Sequence, residues 1–199
     1  MQDQKIENMS NIIVGLDIGT TKIAVMVGRK NKYGKLEILA TAKAISNGVA
    51  RGIVANIDQT VNSIKEAVEE IKQKSNIVIN EVFVGIAGQH IKSLQHRGQI
   101  VREKIDIEIN DNDLDRLKSN MFKLITIPGE EVIHVIPQEY TVDGEDSIND
   151  PRGMAGVKLE ANFHVITAQV GAVRNIMRCV EKANLKPKEL VLEPFASAV

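Results

Sequence analysis

Residues 12–22 read I-I-V-G-L-D-I-G-T-T-K. The stretch is apolar apart from one carboxylate, Asp17, and then breaks into Gly19-Thr20-Thr21-Lys22. An apolar run of this length bounded by a turn signal reads as a buried strand. A carboxylate at its end is costly if buried without a partner. Two readings fit. In one, 19–22 is a tight hairpin turn and Asp17 caps it. In the other, Gly19 lets the backbone approach an anion and the amides of Gly19, Thr20 and Thr21 converge on it. Lys22 then adds a point charge for phosphate oxygens. Asp17 faces a Mg²⁺ ion, whose hard charge prefers oxygen ligands and water. Spacing alone does not separate the two, and the G-x-x-x-x-G-K-[ST] loop is absent.

Working outward, Ile23–Gly28 follows so closely that a hairpin with the first strand is expected. Lys35–Ala42 alternates and supplies a third strand. Asp58 is expected to cap a helix whose apolar positions Val61, Ile64, Val68 and Ile71 step by three or four. Glu81–Ala87 is a further strand. A meander, a crossover helix and a strand define a mixed sheet of the α/β class.

The middle reads differently. Ile91–Arg102 is expected to be a hairpin around Gly98, and Ile105–Ile109 alternates. A helix is expected from Asn110 or Asp111, with Leu114, Leu117, Met121 and Leu124 on one face. Glu131–Val142 is a strand that Pro137 makes an edge or bent one. Asp143–Gly153 is a loop and Val157–Thr167 a returning strand. A last helix spans about Val170–Ala183, Lys186-Pro187 ends that unit, and Glu189–Leu192 begins a strand.

Composition narrows the function. The chain has 199 residues, 43% of them hydrophobic, enough for one medium domain or two small ones. A net charge of -1 and 3% aromatic content argue against a nucleic-acid partner. The single cysteine, Cys179, excludes an internal disulfide or a metal-binding cysteine pair, and a structural role is expected for it. No run approaches the roughly 20 apolar residues of a membrane helix. Asp111–Asp115 (D-N-D-L-D) mimics a calcium loop, but Arg116 stands where glycine is required, so a helix cap is the better reading. His90, His96, His134 and His164 lack metal-ligand spacing. Lys92, Arg97, Arg102 and Lys104 are expected on a solvated face, since acids follow at once.

Four stretches together carry a resemblance. Val14–Lys22 (V-G-L-D-I-G-T-T-K) resembles the first phosphate motif of the actin, Hsp70 and sugar-kinase superfamily. His134–Gly144 (H-V-I-P-Q-E-Y-T-V-D-G) and Asp150–Ala161 (D-P-R-G-M-A-G-V-K-L-E-A) are more specific. Both resemble the FtsA family of actin-like bacterial cell-division proteins, and the second matches its D-P-x-G-M-x-G-V-[RK]-L-E signature. Val191–Ala198 (V-L-E-P-F-A-S-A) resembles the superfamily's first connecting motif.

The resemblance implies an RNase H-like lobe, a partial subdomain 1A, carrying an inserted small α/β subdomain (1C, SHS2-like). The implied division is a disordered leader (1–11), the first part of 1A (12–84), the insertion (85–161) and a truncated return to 1A (162–199). It also implies ATP and Mg²⁺ as ligands. Asp17 would act on the metal, Gly19, Thr20, Thr21 and Lys22 on phosphates, and Glu193 on the attacking water. The second phosphate motif, the adenosine motif, the second lobe and a C-terminal membrane-tethering helix do not occur in the chain. By itself it is therefore expected to hold half a nucleotide site, to bind ATP weakly and not to hydrolyse it. The parent would be a possible ATPase that polymerises, tethers the tubulin-like FtsZ ring to the inner face of the cell membrane and recruits later division proteins through the insertion. Rival readings are a small-molecule kinase, which needs a substrate-binding base and pocket that are not evident, and a pilus-assembly scaffold, against which the Asp150–Ala161 signature argues.

Overall fold

The computed structural model describes residues 12–103, 107–124 and 126–193. The leader, Lys104–Asp106 and Pro194–Ala198 of the connecting stretch lie outside them. The chain forms two compact units, one built from the described residues up to His90 and again from Gly171, the other from Ile91–Val170. The two units divide at 90/91 and 170/171, both downstream of the implied boundaries at 85 and 161. Gly85 lies inside a strand of the first unit, and Ala161 inside a central strand of the second, paired on both sides.

In the first unit, β1 (Ile12–Ile18), β2 (Lys22–Lys30) and β3 (Leu36–Ile45) form an antiparallel meander. A miniature hairpin follows, β4 (Val49–Ala50) and β5 (Ile53–Val54), then helix α1 (Ile57–Ser75) and β6 (Glu81–Ile86), parallel to β1. Helix α3 (Val170–Lys182) leads into β11 (Lys186–Leu192), parallel to β6, and completes the order β11-β6-β1-β2-β3. Burial alternates along the strands: Val14, Leu16, Ile18, Val82, Val84 and Ile86 are buried while their neighbours are half open. One sheet face is thus covered, and α1 and α3 supply Ile64, Ala67, Ile71, Val173, Ile176 and Val180 to the core. The two helices meet where the Cys179 thiol points at the Ile57 carbonyl, 3.9 Å away.

Two local expectations change. The cap of α1 is Asn56, whose side chain accepts from the Gln59 amide at 3.0 Å. Asp58 lies in the first turn, where its charge suits the helix dipole, and pairs with Lys182. Strand β11 already includes Lys186 and Pro187, because an edge strand tolerates a proline and its register shifts just after it.

The second unit is an antiparallel sheet, β7 (Ile91–Val101), β10 (Lys158–Gln169), β8 (Glu130–Val142) and β9 (Glu145–Ile148), with helix α2 (Asp111–Met121) on one face. Leu114, Leu117 and Met121 of α2 bury against Ile100, Val135, Leu159, Ala161 and Phe163. The expected hairpin around Gly98 is a single strand. Gly98 is there because a Cβ would lie 2.7 Å from Met121 Cε and 3.1 Å from Phe163 Cε2. Pro137 sits beside a bulge and beyond the reach of β9, which pairs only at Tyr140 and Val142. The 143–153 loop contains β9, and no strand forms over 107–109. Asn110 caps α2 and forms a reciprocal box with Asp113, which accounts for the acidic cluster without calcium.

Of the basic residues expected on a solvated face, Lys92 and Arg97 are exposed, whereas Arg102 is not. It is buried, and its guanidinium reaches Asp113 at 3.0 Å, the Gly156 carbonyl at 2.7 Å and the Ile107 carbonyl at 2.6 Å. The two most distinctive stretches of the sequence meet close by. The Asp143 carboxylate accepts from the amides of Val157 and Lys158, the latter at 2.7 Å. A Cβ at Gly156 would lie 2.3 Å from Val142 Cγ1. Those residues lock a turn of the fold. The Lys158 amide first, then that of Val157, hold the Asp143 carboxyl below the ordinary carboxylate range. Its stabilising contribution is present above the unfolded-chain value and is lost as pH falls through the folded one. In Asp143→Asn the urea midpoint is therefore expected to fall less between neutral and acid pH than in the parent. Parallel curves would exclude the clamp.

Candidate functional site

The 19–22 turn closes at the end of β1, where the Gly19 amide donates to the Lys22 carbonyl at 3.1 Å. A Cβ on Gly19 would lie 2.9 Å from that oxygen, so the turn demands glycine. The Gly19 amide is therefore engaged within the turn, whereas those of Thr20 and Thr21 have no partner among the described residues. The turn is braced from outside. Thr20 Oγ1 accepts from the Gly52 amide at 3.2 Å, and the Thr21 carbonyl accepts from Ser46 at 3.2 Å. Thr20, Thr21 and Lys22 are exposed.

The sheet face turned away from α1 is open. It forms a groove of about 590 Å³ floored by Gly15, Ala24 and Gly85 and walled by Met26, Phe83 and Val191, with Asp17 and Glu193 at one end. Asp17 and Glu193 stand on strands that are not neighbours, since β6 lies between them. Ladder register brings them together: Asp17 is opposite Gly85, and Gly85 is opposite Val191, two residues before Glu193. Gly85 has no side chain to part them. A Cβ there would sit 3.7 Å from both the Asp17 Cα and the Glu193 Cγ. Burial first, then the charge of Asp17 and a hydrogen bond with it, push the Glu193 carboxyl above the ordinary carboxylate range.

Asp17 Oδ1 is buried with no protein partner among the described residues. An orphaned carboxylate oxygen beside a second carboxyl suits a hard divalent cation. No cluster of three or more His, Cys, Asp or Glu able to hold a metal occurs among the described residues. An ion here would therefore need phosphate oxygens or water as its remaining ligands. The structure thus gathers Asp17, Glu193 and the 19–22 turn within one unit. The sequence reading missed two contributors, Gly85 and the 51–52 hairpin tip. A glycine inside the strand pattern V-F-V-G-I was the available signal for the first; the second had none, because hairpin packing is not local.

The class of protein follows from comparison of this fold with known ones. Over 92% of this chain and 48% of the other, it superimposes on a protein of the PilM-PilN type IV pilus biogenesis complex with a TM-score of 0.58 at 17% identity, an actin-like α/β fold. Residues 88–167 match the family model described as the SHS2 domain inserted in FtsA. The chain is FtsA-like along nearly its whole length. It is 39% identical over 188 residues to cell division protein FtsA of Pseudomonas aeruginosa, covering 94% of this chain and 44% of that protein. It is 38% identical over 187 residues to FtsA of Enterococcus faecalis, covering 94% and 42%. The chain spans about half the length of the curated relatives it matches. Among the described residues no helix is long and apolar enough to cross a membrane.

Proposed function

We propose that this chain supplies one wall of the ATP site of an actin-like scaffold for bacterial cell division. The observation that carries the proposal is the meeting of Asp17 and Glu193 over Gly85, beside a turn with two uncommitted amides. In this reading Thr20 and Thr21 donate their N–H groups to phosphate oxygens and Lys22 adds its charge. Gly19 provides the tight turn that aims them. Asp17 faces the metal side of the phosphates through its orphaned oxygen. Glu193 orients a water molecule on the same side. Mg²⁺ bound with ATP would supply neutralisation of the phosphate charge.

The same reading extends to the whole protein. It self-associates into filaments, holds the FtsZ ring at the inner face of the membrane, and receives later division membrane proteins on the inserted unit.

Because the groove is open, water competes for every phosphate contact. Titration calorimetry of this chain with Mg-ATP is expected to show binding weaker than micromolar, and no phosphate release. Amide shifts on binding are expected at Thr20 and Thr21 and to be lost in Asp17→Ala. Micromolar affinity would contradict the one-walled site, and shifts absent from 19–22 would contradict the phosphate reading itself.

A further inference from the structure

The β4–β5 hairpin turns through Arg51 and Gly52, both left-handed, with φ of 52° and 77°. Two-residue turns of this kind favour Asn-Gly or Asp-Gly, because asparagine and aspartate tolerate that backbone. This chain has arginine in the first place. The tip is clamped on both sides. The Gly52 amide donates to Thr20 Oγ1 of the 19–22 turn at 3.2 Å. On the other side, a Cβ at Gly52 would lie 2.5 Å from the Ala87 carbonyl oxygen. A Cβ at Gly88 would lie 3.2 Å from the Arg51 carbonyl oxygen. The backbone carrying Arg51 is therefore held against the turn, one residue from a direct bond to it.

Its side chain is uncommitted. Arg51 is exposed and has no ion pair or side-chain hydrogen bond among the described residues, and the same is true of Lys22. Arg29, Arg97, Arg102 and Arg152 are bonded to carboxylates. Arg116, Arg174 and Arg178 also have no such bond among the described residues but lie on helices, so what sets Arg51 apart is its left-handed place beside the 19–22 turn. A residue that breaks the local turn preference, held by its surroundings and left without a partner, is the pattern expected where strain serves a site.

We propose that Arg51 is a second phosphate-binding cation, which closes on the polyphosphate of a nucleotide seated at 19–22 from the side opposite the strand. The proposal rests on the reading of 19–22 as a phosphate turn. Lys22 offers a point charge, whereas the planar fork of Arg51 takes two phosphate oxygens at once.

The test compares the chain with its Arg51→Asn and Arg51→Lys variants, using amide spectra during titration with Mg-ATP and, separately, adenosine. Asparagine tolerates the left-handed backbone, so Arg51→Asn is expected to keep the melting temperature of the parent. It is expected to weaken Mg-ATP binding about tenfold, with Arg51→Lys recovering part of the loss. Any adenosine response is expected to be the same in all three. Unchanged Mg-ATP affinity in Arg51→Asn, with Thr20 and Thr21 still shifting, would overturn the role of Arg51 and leave the phosphate turn standing. No shift at 19–22 in the parent would overturn both.

Discussion

Arg102→Ala is expected to cost the 91–170 unit about 3–5 kcal/mol, a large part of the stability of a domain of that size. The side chain is about 4% exposed and binds three elements of its unit together: Asp113 on α2, the Gly156 carbonyl in the turn before β10, and the Ile107 carbonyl ahead of the helix. Removing it strands the buried Gly156 carbonyl, frees the carbonyl of exposed Ile107 to water, and leaves a partly buried carboxylate without its counter-charge. Lysine cannot replace it, because a single ammonium does not reach in three directions with a fixed fork. Arg102→Lys is therefore expected to recover only a minor share. Hydrogen exchange reads the effect by region: amides of β7 and β10 lose protection, while those of β1 and β2 do not. An unchanged urea midpoint would show that the guanidinium is dispensable.

Phe163→Ala is expected to be of similar size, about 3–5 kcal/mol, through a different cause. Phe163 is among the largest fully buried side chains and lies where β10 passes under α2. Its loss opens a cavity beside Met121 and Gly98. The neighbourhood makes a sharper prediction than the single variant does. In the parent, Gly98→Ala forces its methyl against Met121 and Phe163, at 2.7 and 3.1 Å. With Phe163 already removed, half of that obstruction is gone and Met121 can shift. The double variant Gly98→Ala, Phe163→Ala is therefore expected to be more stable than the sum of the two single losses. Chemical denaturation of the four proteins in the cycle checks it, and strict additivity would mean that the two sites do not share the space.

Both predictions fall on residues whose roles were invisible or misread in the sequence. Arg102 looked like one of a row of basic residues on a wet face, because side-chain charge predicts exposure unless a partner is known to be near. The partner Asp113 was itself visible, but only as helix-cap chemistry. Gly98 looked like the bend of a hairpin, since a glycine in a polar stretch ordinarily marks a turn. It is instead a gap in a straight strand. What tells the two apart is the position of Met121 on a helix formed later in the chain.

The first unit was more legible. The strand over 12–18, its hairpin partner, the long amphipathic helix and the strand at 81–86 all announce themselves by period. Each is a local pattern of buried and exposed positions, which short-range sterics and burial impose directly. The ends were less legible. Asn56 rather than Asp58 caps α1, because either side chain can serve as a cap and the choice is settled by which backbone position leaves the helix first.

What the sequence determined by itself was most of the longer elements, the α/β class and the likeness to the FtsA family, carried by stretches whose identities and order are one-dimensional facts. It also placed a carboxylate and a glycine-threonine turn at the end of the first strand. Only the tertiary structure decided that this carboxylate meets Glu193, because the meeting depends on two parallel ladders in register and on a glycine in the strand between them. It also decided that the hairpin tip carrying Arg51 lies against Thr20, through a hydrogen bond between distant parts of the chain. Period and composition record what each residue's own segment does, whereas a site is made by the register and packing between segments, which no single segment encodes.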